Sequence, residues 1–299
     1  MHASRGPISG RAGRSRPASA RLARGTDARP GNVGEALRDY ALSELDSART
    51  FLVAMDGAQA VHEGVHQARK AIRRARAVLR MGDGILGPGA GLVDRELRAL
   101  NTGLSQLRDV QALVETLQRL LAGKHKASVH APLERALDAA IAARDACAAN
   151  AMLLDPGLAS RCALLDVMHA ALPALQWSRL TPSALRVALA DGDAHTHQAR
   201  ERAARRDRDE DWHRWRRRAR RATHQRRALE AIGVDVKDAA DAADKRIAER
   251  LGRAQDLTLL LDHCGRDSPF SEEDRAALRR YAKPALERRR RRLTAAAHG

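Results

Sequence analysis

The sequence predicts an all-α protein, on three observations. Aromatic residues make up 2% of the 299-residue chain and hydrophobic residues 44%, so alanine and leucine, among the strongest helix formers, carry the apolar content. Runs of Val, Ile or Thr, which favour pleated strands, are nearly absent. Apolar positions recur at three- and four-residue spacing from residue 33 onwards.

Val33, Ala36, Leu37, Tyr40, Ala41, Leu45 and Ala48 carry that period and predict a first helix over 33–55, ended at Asp56-Gly57. A second spans 59–81 and stops at Gly82-Asp83-Gly84, after which Gly87-Pro88-Gly89 reads as a loop. A third covers 92–121 and a fourth begins at Pro132 and runs to 153. Pro156-Gly157 breaks the chain before a helix over 158–172. Thr181-Pro182 combines a capping hydroxyl with proline at the first helical position. Helices follow at 183–205, 208–231, 238–264 and 272–296, the last capped by Ser271 with Asp274. Residues 1–32, rich in Arg, Ser, Gly and Pro, lack the apolar core of a secretory signal and are expected to form a disordered basic arm.

The formal net charge is +17. A domain this basic repels itself and seeks phosphate-rich partners. Cys147, Cys162 and Cys264 are odd in number, far apart and without CxxC spacing, which argues for buried free thiols in a reducing compartment, the cytoplasm. No apolar run approaches the ~18–20 residues that cross a bilayer, so no membrane partner is expected.

An internal repeat organises the folded region. His66, Arg69, Lys70, Arg73 and Arg74 recur as His213, Arg216, Arg217, Arg220 and Arg221, each 147 positions on. Asp109 in LSQLRDVQALVETL recurs as Asp256 in LGRAQDLTLLLDHC at the same spacing. The expectation is a duplicated helical unit, 33–178 and 179–297, forming two tandem bundles with pseudo-twofold symmetry and one polyanion site between them.

On a helical wheel, His66, Arg69, Lys70, Arg73, Arg76 and Arg80 share one face, opposite Val65, Ala68, Ile72, Ala75 and Leu79. In the second copy His213, Arg216, Arg217, Arg220 and Arg227 share a face, with Trp212, Trp215, Ala219 and Ala222 opposite. Cations stacked once per turn recur about every 5.4 Å, a spacing suited to successive phosphates, and the forked donors of arginine bind phosphate oxygens in pairs. Crowding by arginines is expected to keep His66 and His213 neutral and in contact with phosphate rather than in catalysis. Asp109 and Asp256, inside apolar stretches, need partners and are expected to hold arginines of the basic helices in place.

GVHQARKAIRRARAVLRM with QLRDVQALVETL, and WHRWRRRARRATHQRRAL with LGRAQDLTLLLDHC, resemble the two halves of the CHAD family, the conserved-histidine α-helical domains. The resemblance covers about 33–297. It implies a basic cavity that binds inorganic polyphosphate without catalysis, a stand-alone branch of the family and association with polyphosphate granules. Carried over by position, the ligands are His66, Arg69, Lys70, Arg73, Arg76, Arg80, His213, Arg216, Arg217, Arg220 and Arg221, with Asp109 and Asp256 behind them. No ExExK strand of a CYTH triphosphate-tunnel domain is present.

The competing reading is sequence-independent nucleic-acid binding. Single-strand binders stack bases on exposed aromatics, and Trp212 and Trp215 fall on the apolar face. A metal site on His195 and His197, or on His62 and His66, lacks a converging carboxylate set, so neither metal nor cofactor is expected.

Overall fold

Asn32 starts the first helix by accepting a hydrogen bond from the Gly34 N–H at 3.0 Å. The computed structural model describes residues 32–54, 57–123, 126–235, 240–265 and 268–295; the arm assigned to 1–32 lies, apart from Asn32, outside them. The described residues form ten α-helices and no strand. They are α1 (Val33–Val53), α2 (Gly57–Met81), α3 (Pro88–Gly103), α4 (Ser105–Leu121), α5 (Ala127–Leu154), α6 (Ala159–Ala171), α7 (Pro182–Arg206), α8 (Asp209–Ala231), α9 (Ala240–Asp262) and α10 (Glu272–Ala295). The all-α expectation holds, and two caps appear as expected. Thr181 Oγ1 accepts from the Ala184 N–H at 3.2 Å. Ser271 Oγ accepts from the Asp274 N–H at 3.1 Å and donates to its carboxylate at 2.7 Å.

Three boundaries differ from the sequence reading. The expected helix over 92–121 divides into α3 and α4 at Leu104, whose backbone (φ −89°, ψ 1°) leaves the helical region directly after Gly103. Pro88 belongs to α3 rather than to a loop, because proline suits a first helical turn and Gly87 at φ +84° supplies the turn before it. Helix α5 starts at Ala127, ahead of Pro132. The missing proline N–H there leaves only a carbonyl near the exposed start of the helix, where water can satisfy it.

The wheel of α2 translates directly into packing. Val65, Ala68, Ile72 and Ala75 are fully buried and Leu79 nearly so, in a first core shared with α1, α3, α6 and the end of α8. Each fully buried large aliphatic side chain contributes roughly 1.5–3 kcal/mol. Trp212, Trp215 and Ala219 of α8 are buried in a second core with α4, α5, α9 and α10. The hairpins α1–α2 and α7–α8 meet where α2 packs on α8; α4–α5 and α9–α10 meet through α4 on α9 and α5 on α10. Gly34 sits so close to the turn Trp177–Arg179 that a Cβ would fall 1.8 Å from the Trp177 carbonyl oxygen. All three cysteines are free, Cys162 and Cys264 buried and Cys147 half-buried. No described helix is long and apolar enough to cross a membrane.

Candidate functional site

Four helices, α2, α4, α8 and α9, surround a cavity of about 690 Å³. The wall from α2 and α8 is cationic: His66, Arg69 and Arg73 face it from one, His213, Arg216, Arg220 and His224 from the other. Spacings of three and four residues place these side chains on one face of each helix, and the packing of α2 on α8 brings the two faces together. Arg108 and Asp109 enter from α4, and Glu249, Gln255, Asp256 and Asp262 from α9.

Burial sets the electrostatics. It pushes the Arg73 guanidinium down to about 8, with Arg220, Arg69, Arg216 and Arg108 adding repulsion. Arg216 is pushed down to about 10 by burial and then by Arg220, against a pull from Asp256. A guanidinium releases its proton very reluctantly, so these shifts measure an unfavourable field that a bound anion relieves. His224 is pushed down to about 3 by burial, with Arg220, Arg73, Arg74 and Arg227 around it. His66 and His213 are also lowered, burial being the first cause and neighbouring arginines a lesser one. Crowding by arginines, the cause expected from sequence, is thus secondary.

Several of these groups lack partners. His66 Nδ1, His224 Nε2 and the Nε atoms of Arg69, Arg73 and Arg216 are buried without a hydrogen bond among the described residues. Buried polar atoms are nearly always paired, so a cluster of five around one cavity marks an incomplete site. The carboxylates at the cavity offset it in part, Asp109 acting on Arg69 and Asp256 on Arg216 and Arg220. Burial raises the Asp109 and Asp262 pKa values, which favours their neutral forms, and Asp256 binds Arg119 of α4 at 2.6 Å.

Behind the cationic wall lies a second, smaller cavity of about 130 Å³. Arg73, Arg216, Arg220 and His224 line both; Arg76, Arg80, Arg217 and Arg221 line only the smaller. Asp94 of α3, 5% exposed, is its one carboxylate. It accepts from Arg76 Nε at 2.9 Å and from Arg80 at 2.7 Å, so these two arginines are already partly committed.

The sequence-predicted residues therefore divide. His66, Arg69, Arg73, His213, Arg216 and Arg220 converge on the large cavity, and Arg76, Arg80, Arg217 and Arg221 on the small one. Lys70 lines neither and lies near Arg74 and Arg227. Asp109 lines the large cavity near Arg69 and Arg108. Asp256 also lines it, but its ion pair is with Arg119 of α4 instead of an arginine of α8. Arg108 and His224 were not foreseen. Arg108 directly precedes Asp109, whose recurrence as Asp256 could have drawn attention to it, although its own counterpart is Gln255. His224 has Ala77 at the corresponding place in the first copy, so the repeat conceals it. His62, fully buried, meets the Leu107 carbonyl at 3.1 Å and lines neither cavity.

A family model for the CHAD domain matches residues 39–265. The chain is also similar to the crystal structure of the CHAD domain from the plant Ricinus communis, with a TM-score of 0.56 and 23% identity over 88% of this chain and 85% of that one. No curated protein sequence matches it.

Proposed function

The chain belongs to the CHAD family, and from that premise we propose that the cavity between α2, α4, α8 and α9 binds inorganic polyphosphate without turning it over. The observation that carries this reading is the group of buried, unpaired nitrogens on Arg69, Arg73, Arg216, His66 and His224 around one cavity. Clustered guanidinium groups that repel one another and keep buried nitrogens without hydrogen-bond partners are stabilised by an anion with several charges. A linear phosphate chain supplies such charges along the α2–α8 wall, and each phosphate presents oxygens that arginine binds in pairs. Counterions released from the polymer add to the affinity and make it fall with salt.

The histidines, held neutral in the empty cavity by burial, serve this site as N–H donors to phosphate. The Thr223 hydroxyl at the cavity is committed to the Ala219 carbonyl at 3.1 Å, so it acts in helix structure and not as a nucleophile. On this reading the protein works in the cytoplasm, holding or docking on polyphosphate, including its granules.

The test is a titration with long-chain polyphosphate, competed by single-stranded DNA and by RNA at matched phosphate concentration across a salt series. Polyphosphate is expected to bind about tenfold more tightly or better, a margin of ~1.4 kcal/mol. Equal binding of the nucleic acids would make the cavity a generic cationic surface.

A further inference from the structure

The arginine run near the end of α10 does not behave as a uniform solvated stripe. Arg290 turns inward, its side chain 12% exposed, where it meets Asp207 and Asp209 and lies 5.4 Å over the Trp212 ring. Arg289 and Arg292 face elsewhere and, with Arg250 and Arg253 of α9 and Leu293, line a separate concavity of about 380 Å³. Among the described residues, no carboxylate lines it. All four arginines are exposed, and none makes an ion pair or hydrogen bond among the described residues.

Arginine-rich composition alone does not account for the cluster. At the 147-residue offset, the corresponding positions 103, 106, 142 and 145 hold Gly, Gln, Ala and Asp. The spacing of three residues within each pair puts both arginines on one face of their helix, so two helices present four guanidinium groups to one hollow. Four like charges held together without counter-charges favour an anion that bridges them.

We propose that this hollow is a second phosphate-chain site, outside the central cavity, and that it takes a further segment of the same polymer. The proposal rests on the reading of the central cavity as a polyphosphate site. Helix α9 connects the two: Gly252, Gln255 and Asp256 face the cavity, while Arg250 and Arg253 face the hollow. A helix with its side chains is about 10–12 Å across, so a long chain held in the cavity has its continuation at high local concentration beside the outer arginines. Linked occupancy of two sites strengthens binding by roughly 10²–10⁴ without any new contact in the first. Short chains, confined to one site at a time, gain nothing from this. The outer site thereby makes the protein selective for long polymers.

The experiment compares the full chain with a variant carrying Arg250→Gln, Arg253→Gln, Arg289→Gln and Arg292→Gln. Glutamine is a good helix former, and these exposed positions carry no core packing. A control variant removes the same charge from Arg186, Arg202, Arg206 and Arg208, also exposed, by the same replacement. Tripolyphosphate, long-chain polyphosphate and RNA are each titrated into all three. The expected result is loss of about tenfold or more in long-chain affinity in the first variant only, with the tightest tripolyphosphate Kd unchanged. Equal weakening in the control, or long-chain affinity within about twofold of the parent, overturns the outer site and leaves the cavity reading intact. Failure of the parent chain to bind either phosphate probe overturns both. Should the first variant lose only RNA binding, the hollow is a nucleic-acid surface and the proposal is wrong.

Discussion

Arg73 of α2 and Arg220 of α8 line the same cavity, and among the charges that disfavour the Arg73 guanidinium Arg220 ranks first. The two basic helices are thus packed together with like charges on both sides of one cavity. Folding the empty protein costs the desolvation of these groups, and the ligand returns that energy. Function and stability should therefore separate on substitution. Arg73→Met, which keeps the length of the side chain, is expected to stabilise the empty protein by about 1 kcal/mol or more, raising Tm by roughly 2 °C or more. The same variant should lose polyphosphate affinity. Thermal unfolding with and without polyphosphate checks both signs.

Acid should act on the empty and the bound protein in opposite directions. The folded pKa of His224 is about 3, below its ordinary value of 6.5. Its stabilising contribution is therefore full above about pH 6.5 and is lost as pH falls towards 3, at about 1.4 kcal/mol per pH unit. A phosphate chain beside His224, His66 and His213 raises their pKa values, so binding takes up protons. Affinity is expected to rise as pH falls from 8 to 6, and replacing His66 and His213 by Gln should flatten that rise. Calorimetry in buffers of different ionisation enthalpy would detect the proton uptake; its absence would place the polymer away from these rings.

Gly252 offers a test of the cavity that leaves every charge in place. It lines the cavity on α9, and a Cβ built there meets nothing within 4 Å. Gly252→Ala should stabilise the helix by about 0.5–1 kcal/mol with binding unchanged. Gly252→Met should keep that stability and weaken polyphosphate binding by projecting into the ligand's path. Urea unfolding alongside titration separates the two effects. Full binding by the methionine variant would put the polymer outside the cavity.

Asp94 holds Arg76 and Arg80, which a phosphate chain in the smaller cavity would otherwise engage. Asp94→Asn is expected to cost about 1.5–3 kcal/mol of stability, as charge-assisted hydrogen bonds weaken. It should also tighten polyphosphate binding, because two arginines of the smaller cavity are released. Chemical denaturation and a titration at constant salt check the pair of signs.

Much of this arrangement was legible before folding was considered. The wheel of α2 separated Val65, Ala68, Ile72, Ala75 and Leu79, all buried, from the cationic face, because helical periodicity is a local property. The recurrence of His66, Arg69 and Arg73 as His213, Arg216 and Arg220 picked out residues that meet in the large cavity. What the sequence could not display depends on distant chain. Arg119 and Asp256 come from helices far apart in sequence, and Asp94 takes Arg76 and Arg80 across the α2–α3 turn. His224 has no histidine as its counterpart in the first copy, and Lys70, one residue from Arg69, is turned away by the 100° step of the helix. The break at Leu104 escaped notice because the apolar spacing continues through it.

The most direct test is a titration of long-chain polyphosphate into the Arg73→Glu, Arg220→Glu double variant, with circular dichroism to verify that it remains helical. A helical variant that has lost binding, beside a parent chain that binds, is the predicted result. Undiminished binding by the helical variant would contradict the account, because the cavity that Arg73 and Arg220 line from two helices would then not be where the polymer is held.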